Sequence, residues 1–187
     1  MESSLIASND PHEALSHLAS GFFGPDLAAT TVPVEPDQIP EPFSGLLVHN
    51  EHMTVVLEQY YGAAVVLDVL EDRLTGNVYD RKILLRTSRT GEAVEVGVAR
   101  IHFRYTSDAV REEILRREAP LGDILIRRNV LRRIEPRWFF RCEPAGPVAA
   151  AFGRPLDRPV YGRMGLIYCD EAPAIELLEV VTDGRSS

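Results

Sequence analysis

NVYDRKILLRTSRTGEAVEVGVARIHFRY, residues 77–105, is the stretch whose reading decides the fold class. It divides into two extended blocks, about 77–87 and 92–105, rich in valine, isoleucine, leucine and aromatic residues. Between them Ser88-Arg-Thr-Gly91 is a short connection whose glycine tolerates positive φ, so the blocks form a hairpin. Another strand candidate, about 63–71, precedes them, and others follow at about 130–141, 161–169 and 173–182. The last two are joined by Cys169-Asp-Glu-Ala172. Links this short imply antiparallel neighbours, because parallel strands need a crossover of roughly a dozen residues or more.

Helical signals surround these strands. Asp10-Pro11-His12-Glu13 reads as a helix entry, with Asp10 as N-cap, Pro11 in the first turn and Glu13 closing a capping box. That helix is expected to stop near Gly21. Residues 22–42 hold Pro25, Pro33, Pro36, Pro40 and Pro42 and read as an extended arm rather than an element. Leu46, Met53, Val56, Leu57 and Tyr60 fall near helical spacing, with Asn50 as a cap inside the segment and Gly62 as a stop. Thr106-Ser107-Asp108 caps a helix reaching about Glu118, and Pro120 opens a short one through about Arg127. The expected fold is α+β, a single antiparallel sheet of about six strands with helices packed mainly on one face. Residues 1–42 are expected to be an N-terminal helix and Pro-rich arm, and 43–187 the α+β domain.

Composition narrows the function classes. The 187 residues are 45% hydrophobic and 26% charged, ordinary for a globular domain. No apolar run approaches the roughly 18–20 residues that span a bilayer, and from Met1-Glu2-Ser3-Ser4, without basic residues or a long apolar stretch, no secretory signal is expected. Cys142 and Cys169 make no disulfide framework, so a cytoplasmic location is expected. The formal net charge of −8 argues against nucleic acid as a partner. Arg127, Arg128, Arg132, Arg133, Arg137 and Arg141 nonetheless form a basic stretch, read either as a solvated face or as a field drawing in a small anion. There is no Walker loop and no dinucleotide fingerprint, so nucleotide cofactors are not indicated. His49 and His52 lack a third ligand for zinc, and no metal is expected. Residues 142–160, rich in Pro, Gly and Ala, read as a mobile loop over a site.

The site candidates are Arg81, a turn at Pro120-Leu-Gly122, and the terminal-strand carboxylates Glu176 and Glu179. An arginine presents a planar fork of donors to a carboxylate, helix-start amides add partial positive charge, and a carboxylate can act as acid or base. Together they suit a buried pocket for a small carboxylate-bearing molecule. Arg81 could otherwise make a surface cross-strand ion pair. Glu176 and Glu179 are an odd number of residues apart, so a regular strand points one into the pocket and the other toward solvent or a helix edge.

Four segments, in this order and spacing, resemble the chorismate pyruvate-lyase family: Asn50-Glu-His-Met-Thr54 with Glu58-Gln59, Arg81-Lys-Ile-Leu-Leu85, Pro120-Leu-Gly122, and Tyr161-Gly-Arg163 ahead of Pro173. The resemblance covers about residues 43–182. It implies elimination of pyruvate from chorismate to give 4-hydroxybenzoate, with no cofactor. By the same resemblance Arg81 holds the ring carboxylate, Met53 and Leu121 supply backbone donors or close the pocket, and Glu179 contacts the ring hydroxyl or assists proton movement. Glu176, Arg163 and Tyr161 are second choices. The same fold also serves as the sensing domain of some bacterial transcription regulators, so a non-enzymatic module binding a small aromatic acid is the alternative. A pocket filled by side chains in an interaction domain is a third. Residues 1–42 are too short and Pro-rich for a helix-turn-helix. The oligomeric state stays open.

Overall fold

In the computed structural model, which describes residues 8–184, the chain opens with helix α1 (Pro11–Phe23). Asp10 caps it, its Oδ1 accepting the Glu13 N–H at 2.8 Å, with Pro11 in the first turn. The Glu13 carboxylate accepts from Ser8 Oγ, so the Asp10 half of the expected capping box forms and the partner is different. The helix runs past Gly21 and stops at Gly24, whose φ is 77°.

Residues 22–42 are not the extended arm expected from their prolines. They contain a 3-10 turn (Pro25–Thr30), strand β1 (Thr31–Val34) and a second turn (Pro36–Gln38). Proline is compatible with β1 because the strand lies at the sheet edge, where a missing N–H costs no ladder bond. Next come α2 (Phe43–Leu47) and α3 (Met53–Tyr61). His52, not Asn50, is the N-cap of α3, and Gly62 ends it in the left-handed conformation at φ 60°.

The strands β2 (Val65–Thr75), β3 (Val78–Thr87) and β4 (Ala93–His102) form two successive hairpins. Helix α4 (Asp108–Arg116) begins at Ser107, whose Oγ accepts the Val110 N–H, and α5 (Leu121–Arg127) follows Pro120. Strand β5 (Arg132–Cys142), the one-turn helix α6 (Pro147–Ala150), and strands β6 (Val160–Cys169) and β7 (Ala172–Val181) complete the chain. Asp170 and Glu171 both have positive φ in the β6–β7 turn, as a tight hairpin matched to strand twist requires. All pairings are antiparallel, in the order β1-β5-β6-β7-β4-β3-β2. Among the described residues the sheet is thus the single antiparallel one expected, with β1 raising the count to seven.

Alternation sorts the strand residues onto two faces. Leu15, Leu18 and Phe23 of α1 pack with Leu84, Val96 and Val180 on one. Helices α2 to α5 cover the other, with Leu47 and Leu57 packed near Ile83 and with Ile114 and Ile124 packed near Ile175. Residues 142–160 do not lie over that second face. Val148 and Phe152 are buried in the core with the α1 side chains instead. Among the described residues no helix is long and apolar enough to cross a membrane.

Candidate functional site

The register explains a hollow on the α2–α5 face. Strand β4 lies between β3 and β7. One row across them reads Arg81, Ala99, Leu177, and the next Ile83, Gly97, Glu179. The central position of each row is a glycine or an alanine, so the outer side chains stand around empty space. The starts of α3 (His52, Met53, Thr54) and α5 (Leu121, Gly122) roof it. Gly122 permits their close approach, since a Cβ there would lie 3.1 Å from His52 Cβ and 3.2 Å from Thr54 Oγ1. First-turn amides of a helix have no intrahelical acceptor, so two such turns border the hollow. Its water-accessible interior is about 50 Å³, within a recess of about 500 Å³ when its mouth is counted. A few waters fit as it stands. A ring-sized guest needs the roof to yield, and Met53 and Leu121 are flexible side chains placed there.

Arg81 is the dominant charge. It is 2% exposed, and its Nε and Nη1 find no hydrogen-bond partner among the described residues. Burial pulls its pKa down from 12.5 to about 10, with Tyr79 and Asp72 opposing the fall. It therefore remains a guanidinium at neutral pH, in a wall whose other β3 members are Ile83 and Leu85.

Glu179 lines the same recess and is held from the side by Arg163, whose Nε donates to its Oε2 at 2.8 Å. Arg163 also donates to the backbone carbonyls of Leu47 (3.2 Å), His49 (2.8 Å) and Glu51 (3.0 Å). It thereby fastens the segment between α2 and α3 to the sheet. Glu95, from β4, is the third ionisable strand residue in the walls. Burial first, then the charge of Glu179, pushes its pKa well above the usual 4.5. His52 is held low, to about 4, by burial and by Arg132, whose Nε donates to its Nε2 at 2.7 Å. It is thus neutral at pH 7.

Of the residues singled out from sequence, Arg81, Met53, Leu121 and Glu179 meet around one recess. Glu176 lies on the opposite face of β7, as the odd spacing requires. It is buried rather than solvated or at a helix edge, with His102 Nε2 at 3.0 Å. Tyr161 packs its ring on Phe43, centroids 4.9 Å apart, and neither it nor Arg163 is a wall of the recess. The basic stretch is largely neutralised locally. Arg127 and Arg128 pair with Glu113, Arg133 and Arg137 with Glu135, and Arg141 with Glu143. Arg132 instead borders both its His52 partner and a second, open recess beside α3. Both cysteines are buried with raised pKa values, about 12 for Cys142 and about 11 for Cys169. Both are thiols at neutral pH.

Sequence reasoning missed Glu95 and Gly97, and weighed His52 only as a zinc ligand and as part of the Asn50–Thr54 segment. Glu95 did leave a signal, because it is the one charge in the otherwise apolar run Ala93–Ala99. Such a residue on a central strand is either paired or functional.

No protein-family model matches the chain, and no curated protein does. Solved structures do match. The chain is similar to PhnF from Mycobacterium smegmatis, with 16% identity and a TM-score of 0.54 over 73% of its length. It spans 65% of that PhnF chain and 91% of the separately solved PhnF effector domain, again at 16% identity and a TM-score of 0.54. At this identity the likeness concerns the fold, which is the chorismate lyase-like α+β fold.

Proposed function

We propose that this chain is a ligand-binding domain that takes a small organic acid into the recess and serves as an effector module. One observation carries the reading, the buried Arg81 guanidinium with two nitrogens unsatisfied. A buried cation without a partner is costly, and a carboxylate matches the geometry of its donors. The apolar walls formed by Leu67, Ile83, Leu85 and Leu177 suit the body of the ligand. An effector role follows the analogy of the PhnF domain, which is an argument from fold alone.

The expected ligand behaviour is a rise in Tm with benzoate or 4-hydroxybenzoate, about 2.7 kcal/mol of stabilisation at a concentration one hundred times Kd. Arg81→Ala should abolish it and Arg81→Lys should weaken it, since an ammonium cannot reproduce the fork. Undiminished binding by Arg81→Ala would end the proposal.

A second reading, the cofactor-independent chorismate lyase, draws on Arg81 and Glu179 opening onto one recess. Elimination of pyruvate would need one to hold the ring carboxylate and the other to face the reacting end. Incubation of the native protein with chorismate separates the two. Release of pyruvate and 4-hydroxybenzoate, lost by roughly 10²–10⁴-fold in Glu179→Gln, supports the lyase. Acid binding without pyruvate release supports the effector module.

A further inference from the structure

An acid bound to Arg81 would satisfy only part of the recess. Glu95 is 3% exposed, and its Oε2 has no hydrogen-bond partner among the described residues. Its other oxygen leans over Gly97, 3.2 Å from where a Cβ on that residue would stand. Glu179 is in register with the same glycine from the neighbouring strand. Two carboxyl groups therefore flank one gap, and the cation beside them is already committed. Arg163 gives its Nε to Glu179 and its remaining nitrogens to the carbonyls of Leu47, His49 and Glu51 and to His49 Nδ1. A wholly buried carboxyl beside an anion, with no cation of its own, keeps its proton. Protonated, it is an O–H donor, whereas the ionised Glu179 only accepts.

We propose that Glu95 is a specificity residue whose carboxyl O–H, acting with the Glu179 carboxylate, recognises a hydroxyl group on the acid held by Arg81. A hydroxyl donates and accepts through one oxygen, so a single small substituent satisfies both partners at once. The ligand class is then a hydroxylated organic acid. Its dimensions follow from the register: Arg81 is level with Ala99, and the two carboxyl groups converge on Gly97, two residues along β4. That is about 7 Å of strand, comparable to a single ring bearing its carboxylate and hydroxyl on opposite sides. This inference rests on the acid-binding reading above and names its ligand class.

The test compares benzoate with 4-hydroxybenzoate by titration calorimetry on the native protein, Glu95→Gln and Glu95→Leu. The native domain should prefer the hydroxylated acid by about tenfold or more. Glu95→Gln retains a donor of similar shape and should keep most of that preference. Glu95→Leu should lose it. An infrared difference spectrum between native protein and Glu95→Gln at neutral pH should also contain the band of a neutral carboxyl, a readout that does not depend on Glu95→Leu folding. Equal affinity of the native protein for both acids, or absence of that band, overturns the role of Glu95 and leaves Arg81 as the acid anchor. Failure of both acids to bind the native protein overturns the acid-binding reading and this inference with it.

Discussion

Replacing Arg81 with methionine should make the ligand-free domain more stable. The guanidinium is 2% exposed, and burial lowers its pKa from 12.5 to about 10. At roughly 1.4 kcal/mol per pH unit, that fall corresponds to a net cost of about 3 kcal/mol, burial outweighing the opposing charges of Tyr79 and Asp72. The sign follows from linkage: a base whose pKa is depressed on folding disfavours the native state wherever it is charged, so the cost is present in full below pH 10. Methionine keeps much of the length and volume and removes the charge. Asp72 is not stranded by the change, because Tyr79 Oη donates to it at 2.7 Å and Arg117 lies at 2.6 Å. Hydrophobic replacement of buried ionic groups typically gains about 1–4 kcal/mol. Allowing for imperfect packing, a gain of about 1–3 kcal/mol is expected, or very roughly 2–10 °C in Tm for a domain of this size. The assay is urea unfolding followed by circular dichroism, without ligand, comparing midpoints at equal slope. Saturating acid should then reverse the order, because only the native protein is stabilised by it. If Arg81→Met is less stable than native by more than about 1 kcal/mol at unchanged slope, Arg81 holds the sheet together and is not a charge kept for a ligand.

Three other outcomes test the surrounding structure. Gly97→Val should block acid binding while leaving the fold intact. Its Cβ would meet Ile83 Cδ1 at 3.1 Å and Glu95 Oε1 at 3.2 Å, both ends of flexible side chains that can shift. Retained affinity would place the ligand elsewhere. Leu15 on α1 is 0% exposed, so Leu15→Ala should cost about 2–5 kcal/mol in chemical denaturation. A loss below about 0.5 kcal/mol, the scale of a surface substitution, would mean that α1 does not belong to the core. His52 is held near pKa 4 against an ordinary 6.5, so the unfolded chain binds more protons between those values and stability climbs with pH across that window. His52→Gln should flatten the climb by up to about 3 kcal/mol, and an unchanged slope between pH 4 and 6.5 would show that His52 is not the group responsible.

Much of the frame was legible in the chain because its causes are local. Asp10 and Ser107 cap helices through atoms three residues away, Gly62 stops α3 through its own φ, and the β3–β4 and β6–β7 turns lie within a few residues of the strands they join. The strand class of residues 77–105 rests on the same kind of information, as does the opposite facing of Glu176 and Glu179. What failed locally is equally instructive. The prolines of residues 22–42 signalled irregular backbone, yet β1 exists because β5 offers an edge to pair with more than a hundred residues away. The Pro-, Gly- and Ala-rich stretch 142–160 gave no sign of packing with the α1 side chains, because Val148 and Phe152 acquire partners only when the sheet is assembled.

By itself, then, the sequence determined the antiparallel α+β character, the helix ends set at Asp10, Gly62 and Ser107, and the presence of an arginine and a glutamate able to share a pocket. The tertiary structure decided that they do share one. Pairing of β4 with β7 brings Glu179 opposite Gly97 and leaves two small residues, Gly97 and Ala99, between β3 and the last strand, with β4–β7 contacts across some eighty positions of chain. It also made Glu95 a buried acid and committed Arg163 to Glu179 and to the carbonyls before α3. Burial, solvation and charge pairing depend on what stands across the gap, and no residue carries that information in its own neighbourhood.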